Sequence, residues 1–310
     1  MKMTSKTILA GVIATLVSVS PVWADGTNTE KLVNNESDAS QQVVLEFVQG
    51  EPEDLGELAA KLNNPISDLW MLFTQNDTYQ YEDKAGNDYT INSFKFQPVM
   101  SFGLSEDYNL IVRPVVQHLS MEAPGKKRET GMGDTAVFAV VGPATPVDNN
   151  IWGVGFTSLI PTASKDFLST QGADQWAVGP AVTAFHLGDE WVYGGVVQHW
   201  WGMGDSKKMN LETKEEEDLN LTDIQYVLRY RVTPTTQIGF GPNIQIDWNE
   251  SGSDKYTIPV GFGGDTMIKI GSMPVRLGAE LHYYVQQADE FGPTWNLRFF
   301  AIPVISNPMR

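Results

Sequence analysis

Charged side chains recur in this chain at every second residue, between stretches of large apolar ones. Arg229 and Arg231 share one parity with Asp223 and Gln225, while Ile224, Tyr226, Leu228, Tyr230 and Val232 take the other. Arg276, Glu280, His282 and Gln286 stand in the same relation to Val275, Leu277, Leu281, Tyr283 and Val285. Successive side chains of a strand point to opposite faces, so each segment carries one charged face and one apolar face. Charges enclosed in a narrow pore either pair across it and occlude it, or set up a field that selects solutes. The same parity elsewhere gives an inward set: Lys95, Arg113, Gln117, Arg229, Arg231, Gln245, Asp247, Arg276, Glu280, His282 and Arg298, accompanied by Gln97 and Asn243. These are the candidate lumen-lining and selectivity residues.

Catalytic chemistry is weakly represented. The four histidines, His118, His186, His199 and His282, show no metal-ligand spacing and no HExxH pattern. With no cysteine there are no disulfides or thiolate sites. No cofactor, metal site or catalytic residue is expected. His118-Leu119-Ser120 puts a histidine and a serine on one strand face, the minimum for a lipid hydrolase, but the surrounding residues do not resemble such an enzyme. The acidic run Glu215–Asp218 matches no defined cation loop and reads as a solvated surface. Gly239 and Gly241, like Gly261 and Gly263, alternate within strands and are not phosphate loops.

The elements that would position these charges are about twelve alternating segments: 66–81, 90–104, 107–121, 132–145, 150–162, 173–188, 190–204, 219–233, 235–249, 254–270, 274–287 and 293–306. Most exceed the ~9–11 residues a tilted strand needs to cross a membrane, whereas soluble strands usually have about 5–6. Tight connections alternate with longer polar ones at 82–89, 122–131, 163–172, 205–218, 250–253 and 288–292, as in an up-and-down barrel with short periplasmic turns and longer outer loops. Trp152, Trp176, Trp191, Trp248, Trp295, Tyr108 and Tyr256 fall near segment ends, where aromatic girdles lie. The expected fold is all-β: a transmembrane antiparallel up-and-down barrel of about twelve strands. A soluble sandwich is the alternative. Twelve strands lie between a filled lumen and an open one, so a narrow or partly plugged pore is expected.

Residues 1–24 have the parts of a secretory signal: Lys2 and Lys6, an apolar core from Ile8 to Val19, and Ala24 at a cleavage position. This predicts export by a cleavable signal peptide and residence in a bacterial outer membrane. Residues 25–65 read as a polar, acidic lead ending in a short periplasmic helix over 53–62, with Leu55, Leu58, Ala59 and Leu62 on one face. That helix either packs under the barrel mouth or enters the lumen as a plug. Residues 66–310 would form the barrel. A net charge of -17 excludes nucleic acid as a partner. The partners expected are outer-membrane lipid, periplasmic chaperones and barrel-assembly machinery, and an unidentified small solute.

Several short motifs carry a family resemblance. They are 58–69 (LAAKLNNPISDL), 131–134 (GMGD), 151–155 (IWGVG), 176–180 (WAVGP), 256–261 (YTIPVG) and 295–298 (WNLR). Together they resemble the bacterial outer-membrane family described as "MetA-pathway of phenol degradation", some members of which are labelled neuromedin U. The resemblance spans about residues 55–302. It implies a barrel and uptake of small, including hydrophobic or aromatic, compounds, and it implies no catalytic residues. The chain departs from outer-membrane barrels at its end: Asn307-Pro308-Met309-Arg310 stands where an aromatic assembly signal is usual.

Overall fold

The computed structural model describes residues 55–61, 69–209 and 216–308. The expected signal peptide and most of the polar lead lie outside them. Twelve antiparallel strands form a closed barrel. They are β1 (Leu69–Asp83), β2 (Asp88–Gly103), β3 (Tyr108–Ala123), β4 (Lys126–Met132, continued by Thr135–Pro143), β5 (Asn150–Ile160), β6 (Trp176–Leu187), β7 (Trp191–Met203), β8 (Asn220–Arg231), β9 (Thr236–Phe240, continued by Asn243–Asp247), β10 (Tyr256–Ile270), β11 (Met273–Gln286) and β12 (Phe291–Ser306). Each pairs with its sequence neighbours, and β12 returns to β1 to complete the wall. Closure leaves no unpaired sheet edge.

Alternation sorts the side chains. Phe94, Phe156, Val182, Leu281, Phe299 and Phe262, the last 66% exposed, point outward. Met71, Ile111, Val140, Ile151 and Ile302 on the opposite parity are buried. An apolar exterior this continuous is costly in water and suits lipid. The girdle candidates Trp152, Trp176, Trp191, Trp248, Trp295, Tyr108 and Tyr256 are all exposed.

Two of the expected loops are not loops. The connections at 82–89 and 122–131 are hairpins whose strands run on and close in tight turns, with Gly86 (φ 79°) and Gly125 (φ 72°) at the left-handed positions. Strand-forming residues at Tyr89 and Lys126–Thr130 extend the ladder into regions read as polar connections. The remaining long connections lie at the same end of the barrel. The segment after β5 forms short 3-10 turns, and the one after β7 carries a small hairpin pairing Lys208–Met209 with Glu216–Glu217.

Strand β9 was expected to be continuous, but it parts at Gly241-Pro242. The last rung to β10 before the break is Ile238↔Gly264 and the next is Gln245↔Thr257. Proline has no N–H to give the ladder. The polar groups of Gly241 turn into the barrel instead: its N–H donates to Glu280 Oε2 (3.2 Å) and its carbonyl accepts from Arg298 Nη1 (2.9 Å). Lumen charges thus satisfy backbone groups that the wall leaves open.

A helix, α1 (Leu55–Lys61), lies inside the short-turn end. Leu58 and Ala59 are buried against inward-facing Met71, Met267, Phe300, Ile302 and Val304, and the Ala59 carbonyl accepts from Arg276 Nη2 (2.7 Å).

Candidate functional site

The barrel interior has two unlike walls. On the first, running from β8 round to β2, ionic groups form one connected network. Asp77 on β1 is fully buried; it accepts from Arg298 Nε (2.8 Å), Asn296 Nδ2 (3.1 Å), Lys95 Nζ (3.2 Å) and Gln75 Nε2 (2.5 Å). Glu280 on β11 accepts from Arg229 and from His282 Nε2 (2.8 Å). Arg229 Nη1 also donates to Asp265 Oδ2 (2.7 Å), and Arg276 Nε stands 3.3 Å from Asp265 Oδ1. The His282 Nδ1 meets Asn296 Nδ2 at 3.3 Å, which fits a ring carrying its proton on Nε2. Four basic side chains therefore face three carboxylates. Removing one partner of such a pair leaves a buried charge uncompensated, at a cost of about 3–5 kcal/mol.

The second wall, from β3 to β7, is apolar: Ile111, Phe138, Val140, Ile151, Ala181 and Val196 form one buried cluster, with Phe185 and Leu187 against it. Between the walls lies a cavity of about 210 Å³. Arg113, on β3, is the basic side chain set into this wall. Its Nη1 donates to Gln225 Oε1 (3.1 Å) on β8, a bond that crosses the lumen, and its guanidinium lies 5.2 Å from the Phe138 ring centre.

Helix α1 packs against inward-facing residues at the short-turn end of the barrel. At the other end the segment 161–175 folds over the barrel, burying Leu168 and Ala173. Asp134 anchors it by accepting from the Ala163 N–H (3.2 Å) and the Thr170 N–H (2.6 Å). Gln175 ties it to β8 by accepting from the Leu219 N–H (2.9 Å) and donating to Asp218 (2.7 Å). Asp218 also accepts from Lys207 (2.8 Å), and these hydrogen bonds hold its carboxyl below the ordinary aspartate value.

The residues read from sequence thus separate into groups. Lys95, Arg229, Arg276, Glu280, His282 and Arg298 meet in the network. Arg113 stands apart from it. Gln117 donates to the Asp134 carbonyl (3.4 Å), Asp247 accepts from Gln171 of the folded segment (3.0 Å), Arg231 donates to the Asp189 carbonyl in a tight turn (3.3 Å), and Gln245 is exposed. Two central carboxylates, Asp77 and Asp265, are missing from the sequence-derived set. Each is an acidic residue in mid-strand, and the rule that drives arginine off a lipid face would have turned both inward. The Ser120 hydroxyl accepts from Arg128 Nη1 (3.2 Å) and Thr130 (3.3 Å), which gives it no histidine base among the described residues. The described residues also hold no cluster of three or more His, Asp or Glu side chains arranged for a metal ion.

No family model matches the chain, and neither does any curated protein. Solved structures do. An outer-membrane channel from Pseudomonas putida F1 aligns at a TM-score of 0.57 and 16% identity, over 76% of this chain and 94% of that one. The chain has the fold of an outer-membrane β-barrel. The NanC porin aligns at 0.47 and 10% identity over 74% of this chain and 98% of its own, and a FadL homologue of Pseudomonas aeruginosa at 0.41 and 9% over 77% and 90%. The barrel's interior chemistry must be read from its own residues.

Proposed function

We propose that this barrel is a narrow passive pathway for small solutes across the outer membrane, reached by export with a cleavable signal peptide. The observation that carries the reading is the two-walled cavity enclosed in a barrel with an apolar exterior. A filled structural barrel has no use for a space bounded by fixed charges on one side and aliphatic and aromatic groups on the other. Such a space accommodates a solute with one polar and one apolar side, in line with the hydrophobic and aromatic compounds implied by the family resemblance. The charged wall, with Arg229 at its centre, sets selectivity.

The test is conductance of the folded protein in a planar bilayer, beside Arg229→Ala and Arg231→Ala. Discrete steps whose ion selectivity shifts in Arg229→Ala support the pathway. A second reading, a closed structural barrel, draws on α1, the folded segment 161–175 and the Arg113–Gln225 bond, all of which obstruct the lumen. Silence from folded protein, persisting after deletion of residues 25–61, would establish that reading instead. Protease cleavage of the 205–218 loop on intact cells tests the orientation; cleavage only after permeabilisation would invert it.

A further inference from the structure

We propose that Arg113 is a ligand anchor: the cavity binds a small amphipathic carboxylate, its carboxylate on the Arg113 guanidinium and its apolar body on the β3–β7 wall. This rests on the pathway reading and names the solute class. Four arginines line the cavity: Arg113, Arg229, Arg276 and Arg298. Arg229, Arg276 and Arg298 each have a carboxylate at ion-pair distance. Among the described residues Arg113 has none: its hydrogen-bond acceptor is the neutral Gln225, and its buried Nε has no partner. The nearby carboxylate of Asp223 lies beyond ion-pair distance and is engaged by Asn243 (2.8 Å) and Gln198 (3.4 Å).

Burying a guanidinium while leaving donors unmet is costly, and the planar fork is shaped to bind a carboxylate bidentately. The wall around Arg113 fixes the rest of the ligand. Phe138 lies under the guanidinium, and Ile151, Phe185 and Val196 line the adjoining space. An apolar cavity of about 150 Å³ takes up benzene, so the cavity here, about 210 Å³, has room for one ring or a short branched chain with its carboxylate. In the charged wall Lys95, Arg229, Arg276 and Arg298 each already have a carboxylate at ion-pair distance, so that wall offers an anion no comparable cation.

The experiment is calorimetric titration of the full refolded protein in detergent with three probes: benzoate, benzyl alcohol and acetate. Benzoate should bind more tightly than either of the others, because each of those supplies half of the match. Arg113→Gln should weaken benzoate by about tenfold or more, the loss of one charge-assisted contact, and leave benzyl alcohol nearly unchanged. Arg113→Lys should lie between them, and Arg128→Gln, outside the cavity, should match wild type. Heat-modifiable gel mobility confirms that each variant is folded. If Arg113→Gln misfolds, Arg113→Lys and the three-probe ranking on wild type still decide. Equal binding of benzoate and benzyl alcohol overturns the anchor. So does benzoate affinity indifferent to Arg113. If the protein conducts in bilayers but binds no benzoate, the anchor fails and the pathway stands. If it neither conducts nor binds, both fall.

Discussion

The two lumen walls share strand geometry, outward aromatic and aliphatic faces, and inward parity, yet one is a salt-bridge network and the other a hydrophobic core. Strands β8 to β2 bury Asp77, Asp265, Glu280, Arg276 and Arg298, with Lys95 and Arg229 partly buried beside them, whereas β3 to β7 bury Ile111, Phe138, Val140, Ile151 and Val196. The lipid-facing side is constrained alike on every strand, so the barrel dictates its exterior and leaves the interior free. A lumen that differs from one side to the other is therefore the part of such a protein that carries its particular chemistry.

The contrast can be broken at several points. The largest effect is expected from Asp77→Ala, which leaves Lys95 without its carboxylate and Arg298 with only its 3.7 Å contact to Glu280; urea unfolding from lipid vesicles should show a loss of about 3–5 kcal/mol. A loss under about 1 kcal/mol would mean that water already screens this wall. On the opposite wall Ile151→Val should cost only about 0.5–1.5 kcal/mol, and the same titration decides whether the two walls differ as described. Arg229→Ala should cost less than Asp77→Ala, because Asp265 keeps Arg276 and Glu280 keeps His282 and Arg298. Its clearer signature is a shift of ion selectivity towards cations, read from the reversal potential in a salt gradient, and an unchanged potential would remove it from the conduction path.

The smallest effect lies outside both walls. The depressed carboxyl of Asp218 stabilises the folded loop above the unfolded value, near 3.8, and that contribution fades as pH falls below it through the folded value. Amide protection factors in segment 216–220, corrected for the intrinsic pH dependence of exchange, should fall from pH 6 to pH 3 in wild type. In Asp218→Asn the step should vanish; a step that persists assigns the effect elsewhere.

Strand count and connection order were legible in the sequence because a strand with lipid on one side and a wet or filled interior on the other cannot avoid strict alternation. Three features were not. The hairpins beyond 82 and 122 use polar residues that suit a solvated ladder as well as a loop. The break at Gly241-Pro242 is stabilised by Glu280 and Arg298, which lie 39 and 57 residues away in the chain and have no local signature. The division into two walls depends on which strands are neighbours round the circle, and parity within one strand says nothing of that. Arg113 and Arg229 look alike in sequence. Cross-strand register puts Arg113 opposite Phe138, and packing between strands puts Arg229 among carboxylates.

Asp77 and Arg298 face each other across the β1–β12 seam, directly in register, although 221 positions separate them in the chain. A slip of two residues preserves every inward and outward side chain, so the hydrophobic pattern cannot reject it. It would set Arg298 against Gln75 or Tyr79 and leave buried charges without partners. The pair thus proofreads the final step of assembly, rejecting a misclosed circle by about 3–5 kcal/mol, an error check placed where the two ends of the chain first meet.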